Sequence, residues 1–215
     1  METATGPLAL GFLAGFSILA VLTLTSFIKI SVVFMIVRQA LGLQQVPSNM
    51  IIMALSGFLA VFISLPVFRE ALFAINQIDA DANTADGIME MWSAGIAPFQ
   101  RFLLANIDPV HIDFFISMSN DLWAGSGMVG SRDILIIQVP AFIISELTEA
   151  FRIGFLIYLP FVAIDIAVTT ILMALGMQQV QPTIIATPFK LLTFVFVSGW
   201  ARLSEGLIMT YAGNI

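Results

Sequence analysis

Four ionisable side chains lie inside one oily stretch of this 215-residue chain: Glu146, Glu149, Arg152 and Asp165. A second oily stretch carries Lys190, Arg202 and Glu205. Carboxylates and cations in apolar sequence can do two kinds of chemistry. They lock helices together as shielded ion pairs, or they relay protons. Glu146, Glu149 and Arg152 follow at spacings of three, which puts them on one face of a helix. That face reads either as a ladder of paired charges within the chain or as a surface that meets a neighbouring subunit. A chain with about four hydrophobic helices is too thin to shield such a face alone, which favours the second reading. Lys190 is the only nearby lysine, so Glu146 or Glu149 is its expected partner across an interface. Removing one member of a buried pair costs about 3–5 kcal/mol.

Catalytic constellations do not emerge from the remaining residues. The chain has no cysteine and one histidine, which excludes disulfides, thiol catalysis and metal sites built on cysteine or a histidine pair. His111, close to Asp113, reads as a surface or capping histidine. Asp79 and Asp81 sit in a polar loop and read as solvated. No Gly-Lys-Ser/Thr phosphate loop is present. The net charge of −6 argues against a nucleic-acid partner. The chain therefore reads as a non-enzyme that needs no metal or cofactor. A proton relay through the membrane glutamates is the one activity left open.

The elements that must hold these charges are oily helices. Hydrophobic residues make up 59% of the chain and charged residues 10%, against roughly 25% charged in soluble domains. Mean hydropathy is +1.01. A soluble chain of this size cannot hide so much apolar surface, so a bilayer or other protein must cover it. Four apolar blocks stand out: Pro7 to Val37, Met50 to Phe68, Ile134 to Leu175 and Ile184 to Tyr211. Met1 to Pro7 carries no Lys or Arg, so the uncharged run Leu8–Ile28 reads as a retained membrane helix rather than a cleaved signal.

Between the second and third blocks lie nine acids and three arginines, from Arg69 to Asp133. Ile88, Trp92, Ile96, Phe99 and Leu103 mark one face of a helix there. Asp108-Pro109 reads as an N-cap with proline at the first helical position, opening a helix towards Trp123. The positive-inside rule places the short connection bearing Arg38 in the cytoplasm, and this acidic region with both termini outside.

An internal echo organises the rest. Ala40-Leu41-Gly42-Leu43-Gln44-Gln45-Val46 recurs as Ala174-Leu175-Gly176-Met177-Gln178-Gln179-Val180. Each copy ends an apolar block at a glycine and meets a proline soon after, Pro47 or Pro182, which is a helix stop. Two helical hairpins with Gly-x-Gln-Gln tips are expected. Ordinary spanning helices they are not. Only 12 residues separate Arg152 from Asp165, and 11 separate Lys190 from Arg202. Neither gap crosses a ~30 Å hydrocarbon core. Pro66, Pro160 and Pro188 interrupt apolar helices, and such breaks survive at membrane depth only where protein or a water cavity covers them. The fold expected is all-α: two long kinked membrane-associated hairpins, 1–68 and 134–215, flanking a small helical domain at 69–133.

Three stretches carry a family resemblance: Leu24 to Phe34 with Arg38 to Pro47, Pro140 to Asp165, and Pro188 to Trp200. Over essentially the whole chain the sequence resembles the SctR/FliP family, export-gate membrane proteins of type III secretion. The resemblance implies a pore-forming core subunit for export of unfolded proteins across the bacterial inner membrane, which also seeds the needle or rod. It implies five copies assembled with a small two-helix subunit (SctS/FliQ-like) and a third gate subunit (SctT/FliR-like). Further expected partners are SctU/FlhB-like and SctV/FlhA-like proteins. In this family the hairpins lie largely above the bilayer plane, towards the periplasm, which makes 69–133 a periplasmic domain. The family's charge pair between adjacent subunits falls on Glu146 and Lys190 here. Its methionine-rich gate falls on Met177, but Gln178 and Gln179 follow in place of further methionines. Methionine seals because it is flexible and apolar, so a partly polar gate is implied. Chain length and the lack of a signal extension point to the injectisome branch. The alternatives are a flagellar export-gate subunit and a small proton-coupled carrier using Glu146, Glu149 and Asp165.

Overall fold

The computed structural model describes residues 23–43, 45–78 and 84–214. The run Leu8–Ile28 falls outside them as far as residue 22, as do Gln44, Asp79 and Asp81. Among the described residues there are seven helices and no strand. They are α1 (Phe27–Ala40), α2 (Asn49–Asn76), α3 (Ala85–Asn106), α4 (Pro109–Leu122), α5 (Leu135–Ala174), α6 (Pro182–Phe196) and α7 (Gly199–Met209). The all-α expectation holds. Asp108 caps α4, its side chain accepting from the Val110 N–H, with Pro109 at the first turn and the helix ending at Trp123. That is the start and stop read from the sequence. Thr84 caps α3 by accepting from the Gly87 N–H at 3.1 Å.

Among the described residues two helices are long and apolar enough to cross a membrane: α2 with 28 residues and α5 with 40. At 1.5 Å per residue α5 is about 60 Å long, twice the hydrocarbon core. It continues through Pro140 and Pro160. The last apolar block, read as one stretch, is in fact two helices. α6 and α7 meet at a 60° bend, and together they qualify as a third span. The corner is Ser198, in the left-handed region at φ 53°. At Gly199 an added Cβ would lie 2.3 Å from the Phe194 ring, so only glycine lets the chain turn so tightly. Gly199→Ala is expected to cost about 1–3 kcal/mol by overpacking, measured by thermal unfolding in detergent. Adding Phe194→Leu should recover part of the loss; no recovery would place the cost elsewhere.

The chain divides into two compact units. Among the described residues, one comprises 23–28, 60–78, 84–146 and 213–214. Its interior joins Ile63 and Val67 of α2, Phe102 and Leu103 of α3, Ile112 of α4 and Phe142 of α5, all buried. Phe68 meets Phe99 edge-on at 5.1 Å, and Phe102 lies 6.0 Å from Phe142. The apolar face foreseen on α3 is only partly interior. Leu103 is buried, yet Ile88 and Trp92 are each 56% exposed. Helical period reveals a stripe but not what covers it.

The other unit comprises Lys29–Leu59 and Leu147–Ala212. Here α1 is the core element, with Ile30, Val33, Phe34 and Val37 fully buried. Phe34 meets Trp200 edge-on at 5.7 Å, and Trp200 meets Phe194 at 5.2 Å. The Lys29 ammonium lies 4.3 Å from the centre of the Tyr211 ring, a cation–π contact. Gly154 of α5 gives room to Ile36 of α1, where an added Cβ would lie 2.5 Å from the isoleucine side chain.

Candidate functional site

The sequence echo is a structural one. Gly42 and Gly176 both adopt left-handed backbone, at φ 75° and 74°. At the first, the Gly42 N–H donates to the Gln39 carbonyl at 2.9 Å and the Leu43 N–H to the Arg38 carbonyl at 3.2 Å. At the second, the Gly176 N–H donates to the Met173 carbonyl at 3.0 Å and the Met177 N–H to the Leu172 carbonyl at 2.9 Å. This is the same Schellman closure twice, which satisfies the last carbonyls of each helix. Both tips belong to the second unit. At the second tip Met177, Gln178 and Gln179 are all exposed. At the first, Arg38 steadies the return by donating to the Pro47 carbonyl at 3.2 Å and to the Asn49 side chain.

A charged clasp joins the two hairpins behind these tips. The Lys190 ammonium, on α6, donates to Asp165 of α5 at 2.6 Å and to the Ala40 carbonyl of α1 at 3.0 Å. Its side chain is only 4% exposed, that of Asp165 38%. Ala40 ends α1, where the helix dipole is negative and carbonyls lack helical partners, so a cation is favoured there twice over. The sequence reading pairs Lys190 with Glu146 or Glu149 across an interface between subunits. Within the chain its acid is Asp165, 25 residues away. The signal was present: Asp165 lies 12 residues before Met177, and Lys190 lies 12 after Gln178. In an antiparallel hairpin, positions equidistant from the tip face each other. Close by, Gly42 leaves the space that Thr187 of α6 fills; a Cβ there would sit 2.9 Å from the threonine hydroxyl.

Comparison with known proteins bears on both features. The FliP family model matches residues 11–207, which spans both tips and the whole clasp. The chain belongs to the FliP family. It is 43% identical over 205 residues to a probable translocation protein, y4yL, of Sinorhizobium fredii, covering 95% of this chain and 92% of that protein. It is 40% identical over 190 residues to the Yop proteins translocation protein R of Yersinia pestis, covering 88% of each. It is 39% identical over 204 residues to the harpin secretion protein HrcR of Erwinia amylovora, covering 93% and 94%.

In this FliP-family chain the charge ladder of α5 divides. Glu146 is buried at 1% exposure. Arg152 pairs with Glu149 at 3.7 Å, with side chains 74% and 40% exposed. Such an exposed pair contributes about 0–1 kcal/mol, so Glu149 and Arg152 do little for the single chain. Acidic residues of the first unit are paired on its surface, Glu70 with Arg101 and Asp113 with Arg132, each at 2.6 Å. His111, read from sequence as a surface or capping histidine, is half-buried in the structure. Its Nδ1 lies 2.9 Å from the Ser145 hydroxyl, which accepts from the Asp108 N–H at 3.0 Å and donates to the Ala141 carbonyl at 2.8 Å. With its hydrogen directed to Ala141, that serine oxygen acts as an acceptor for Nδ1–H. The hub ties the start of α4 to α5.

Proposed function

We propose that this chain is a pore-forming subunit of a type III secretion export gate, passing unfolded proteins across the bacterial inner membrane. The observation that carries this reading is the second tip. A glycine-closed turn presents Met177, Gln178 and Gln179 outwards on a hairpin that the Lys190 clasp holds in place. Repeated around an axis in several copies, such tips would close a channel with flexible apolar and hydrogen-bonding side chains. The exposed pair Glu149–Arg152 is suited to meeting a neighbouring subunit. Asp165, partly open, can take a second cation from outside the chain. The relatives named for Yop translocation and harpin secretion favour the virulence branch over a flagellar gate. Five copies with SctS/FliQ-like and SctT/FliR-like subunits, seeding of the needle or rod, and hairpins displaced towards the periplasm belong to the same proposal.

Replacing Gln178 and Gln179 together with alanine tests it. The closed assembly should leak ions several-fold faster than the parent, read as current across a bilayer. An unchanged leak, with the complex intact by mass, would remove this tip from the gate. The rival carrier reading makes an opposite forecast. There Asp165→Asn would stop transport in a monomer or dimer, whereas a gate subunit would lose its large hetero-oligomer.

A further inference from the structure

The two tips share a sequence and a turn, but their surroundings differ. An added Cβ at Gly42 would lie 2.9 Å from the Thr187 hydroxyl and 3.9 Å from the Thr183 methyl, both on α6. The same addition at Gly176 meets nothing within 4 Å among the described residues. Backbone shape is not the cause, since φ is 75° at one glycine and 74° at the other. The residues just before each glycine repeat the contrast. Ala40 and Leu41 are each 1% exposed, whereas Ala174 and Leu175, their counterparts in the echo, are exposed. Within the chain, one tip is docked and the other stands clear.

The seat is the opening of α6. Thr183, Thr187 and Lys190 follow at spacings of four and three, which puts them on one face of that helix. Thr187 meets Gly42, and the Lys190 ammonium holds the Ala40 carbonyl at 3.0 Å. The Thr187 hydroxyl donates to the Thr183 carbonyl at 2.8 Å, which fixes the rotamer that Gly42 meets. Ala186, on the same face, is fully buried. Helix α6 begins at Pro182, three residues after Gln179. The helix that leaves the second tip is thus packed, over its first two turns, on the end of α1 and the first tip.

We propose that the first tip is a bearing rather than a second gate, and that Thr187 is a positioning residue that sets the second tip against it. This rests on the gate reading given above. Gly42 seated on Thr187 sets where α6 starts, and the start of α6 sets where Met177, Gln178 and Gln179 stand. A turn packed against its own chain moves only by giving up those contacts, whereas a turn with few contacts moves readily. The echo in sequence makes the two tips equivalent, and packing gives them different work.

The test uses the assembled complex in a planar bilayer, with ion current as the readout and mass to confirm assembly. Thr187→Leu enlarges the side chain that Gly42 meets and should raise the leak several-fold by shifting α6. Thr187→Val keeps the shape without the hydroxyl and should leak like the parent, because the contact is steric. Gln45→Ala, exposed on the first tip, should also leave the leak unchanged. The double variant Gln178→Ala with Gln179→Ala is run beside them. If it leaks while Thr187→Leu does not, the bearing is overturned and the gate stands. If neither leaks, the gate reading falls and the bearing with it. A leak from Gln45→Ala as large as that of the double variant would make the first tip a gate and overturn the proposal. Thermal unfolding in detergent gives a second readout for any variant that does not assemble. Gly42→Ala and Gly176→Ala carry the same left-handed strain. Gly42→Ala should therefore lower the melting temperature further, and adding Thr187→Ala should recover the difference. Equal shifts at the two glycines, or no recovery, would sink the seat.

Discussion

Replacing Lys190 with methionine is expected to lower stability by about 2–3 kcal/mol, the range for hydrogen bonds to a charged group, since Asp165 at 38% exposure keeps part of its hydration. Two groups lose their partner at once. Asp165, its side chain 38% exposed, keeps a charge without its partner, and the Ala40 carbonyl loses the cation that caps α1. Three helices meet at that ammonium, so the loss should propagate to the relation of the two tips. Thermal or denaturant unfolding in mild detergent is the direct measurement. Membrane abundance should fall with it, since a loss of this size exhausts a large share of ordinary protein stability.

The double variant makes the expectation sharper. Lys190→Met with Asp165→Leu removes both charges and leaves apolar groups of similar length. Such replacements are often close to neutral. The double variant should therefore be more stable than Lys190→Met alone, by about 2 kcal/mol or more. If the single change is silent, or if the two losses simply add, then the clasp does not hold the hairpins. Assembly of the double variant carries separate information. A folded chain that no longer joins its complex would show that Asp165 or Lys190 also serves a neighbouring subunit.

Phe34→Ala is the second large effect, at about 3–5 kcal/mol for an aromatic truncated in a packed interior. Phe34 has no exposed surface and sits at one end of the aromatic chain Phe34–Trp200–Phe194. Its removal leaves a cavity and withdraws one edge-on contact, itself worth about 0.5–1.5 kcal/mol beyond area. Phe34→Leu should lose much less, because volume and apolarity are largely kept. The comparison is again by unfolding in detergent. Equal losses for leucine and alanine would point to backbone disturbance and not to the cavity.

Local chemistry made much of this legible in advance. Helix α4 follows from Asp108-Pro109, because an N-cap acceptor and a proline at the first turn act on their immediate neighbours. The paired tips follow from glycine, which alone enters left-handed backbone without steric cost. The break at Ser198 has no local signal, because Val197-Ser198-Gly199-Trp200 carries no proline, and its cause is a ring packed against Gly199. Helical period puts Ile88 and Trp92 on an apolar face, but their exposure depends on which other chain segments come near.

Sequence by itself therefore determined that the chain is helical, oily, twice turned at glycine, and burdened with charges that lipid alone would not shelter. Only the tertiary structure decided which charge meets which. Lys190 could have reached any of several carboxylates by composition. The choice of Asp165, and of a carbonyl 150 residues away on α1, came from the register of one hairpin and its packing on the other. The physical reason is range. Caps and turns are settled within a few residues, whereas an ion pair needs two helices to arrive at one place, and that is a property of the whole packed unit.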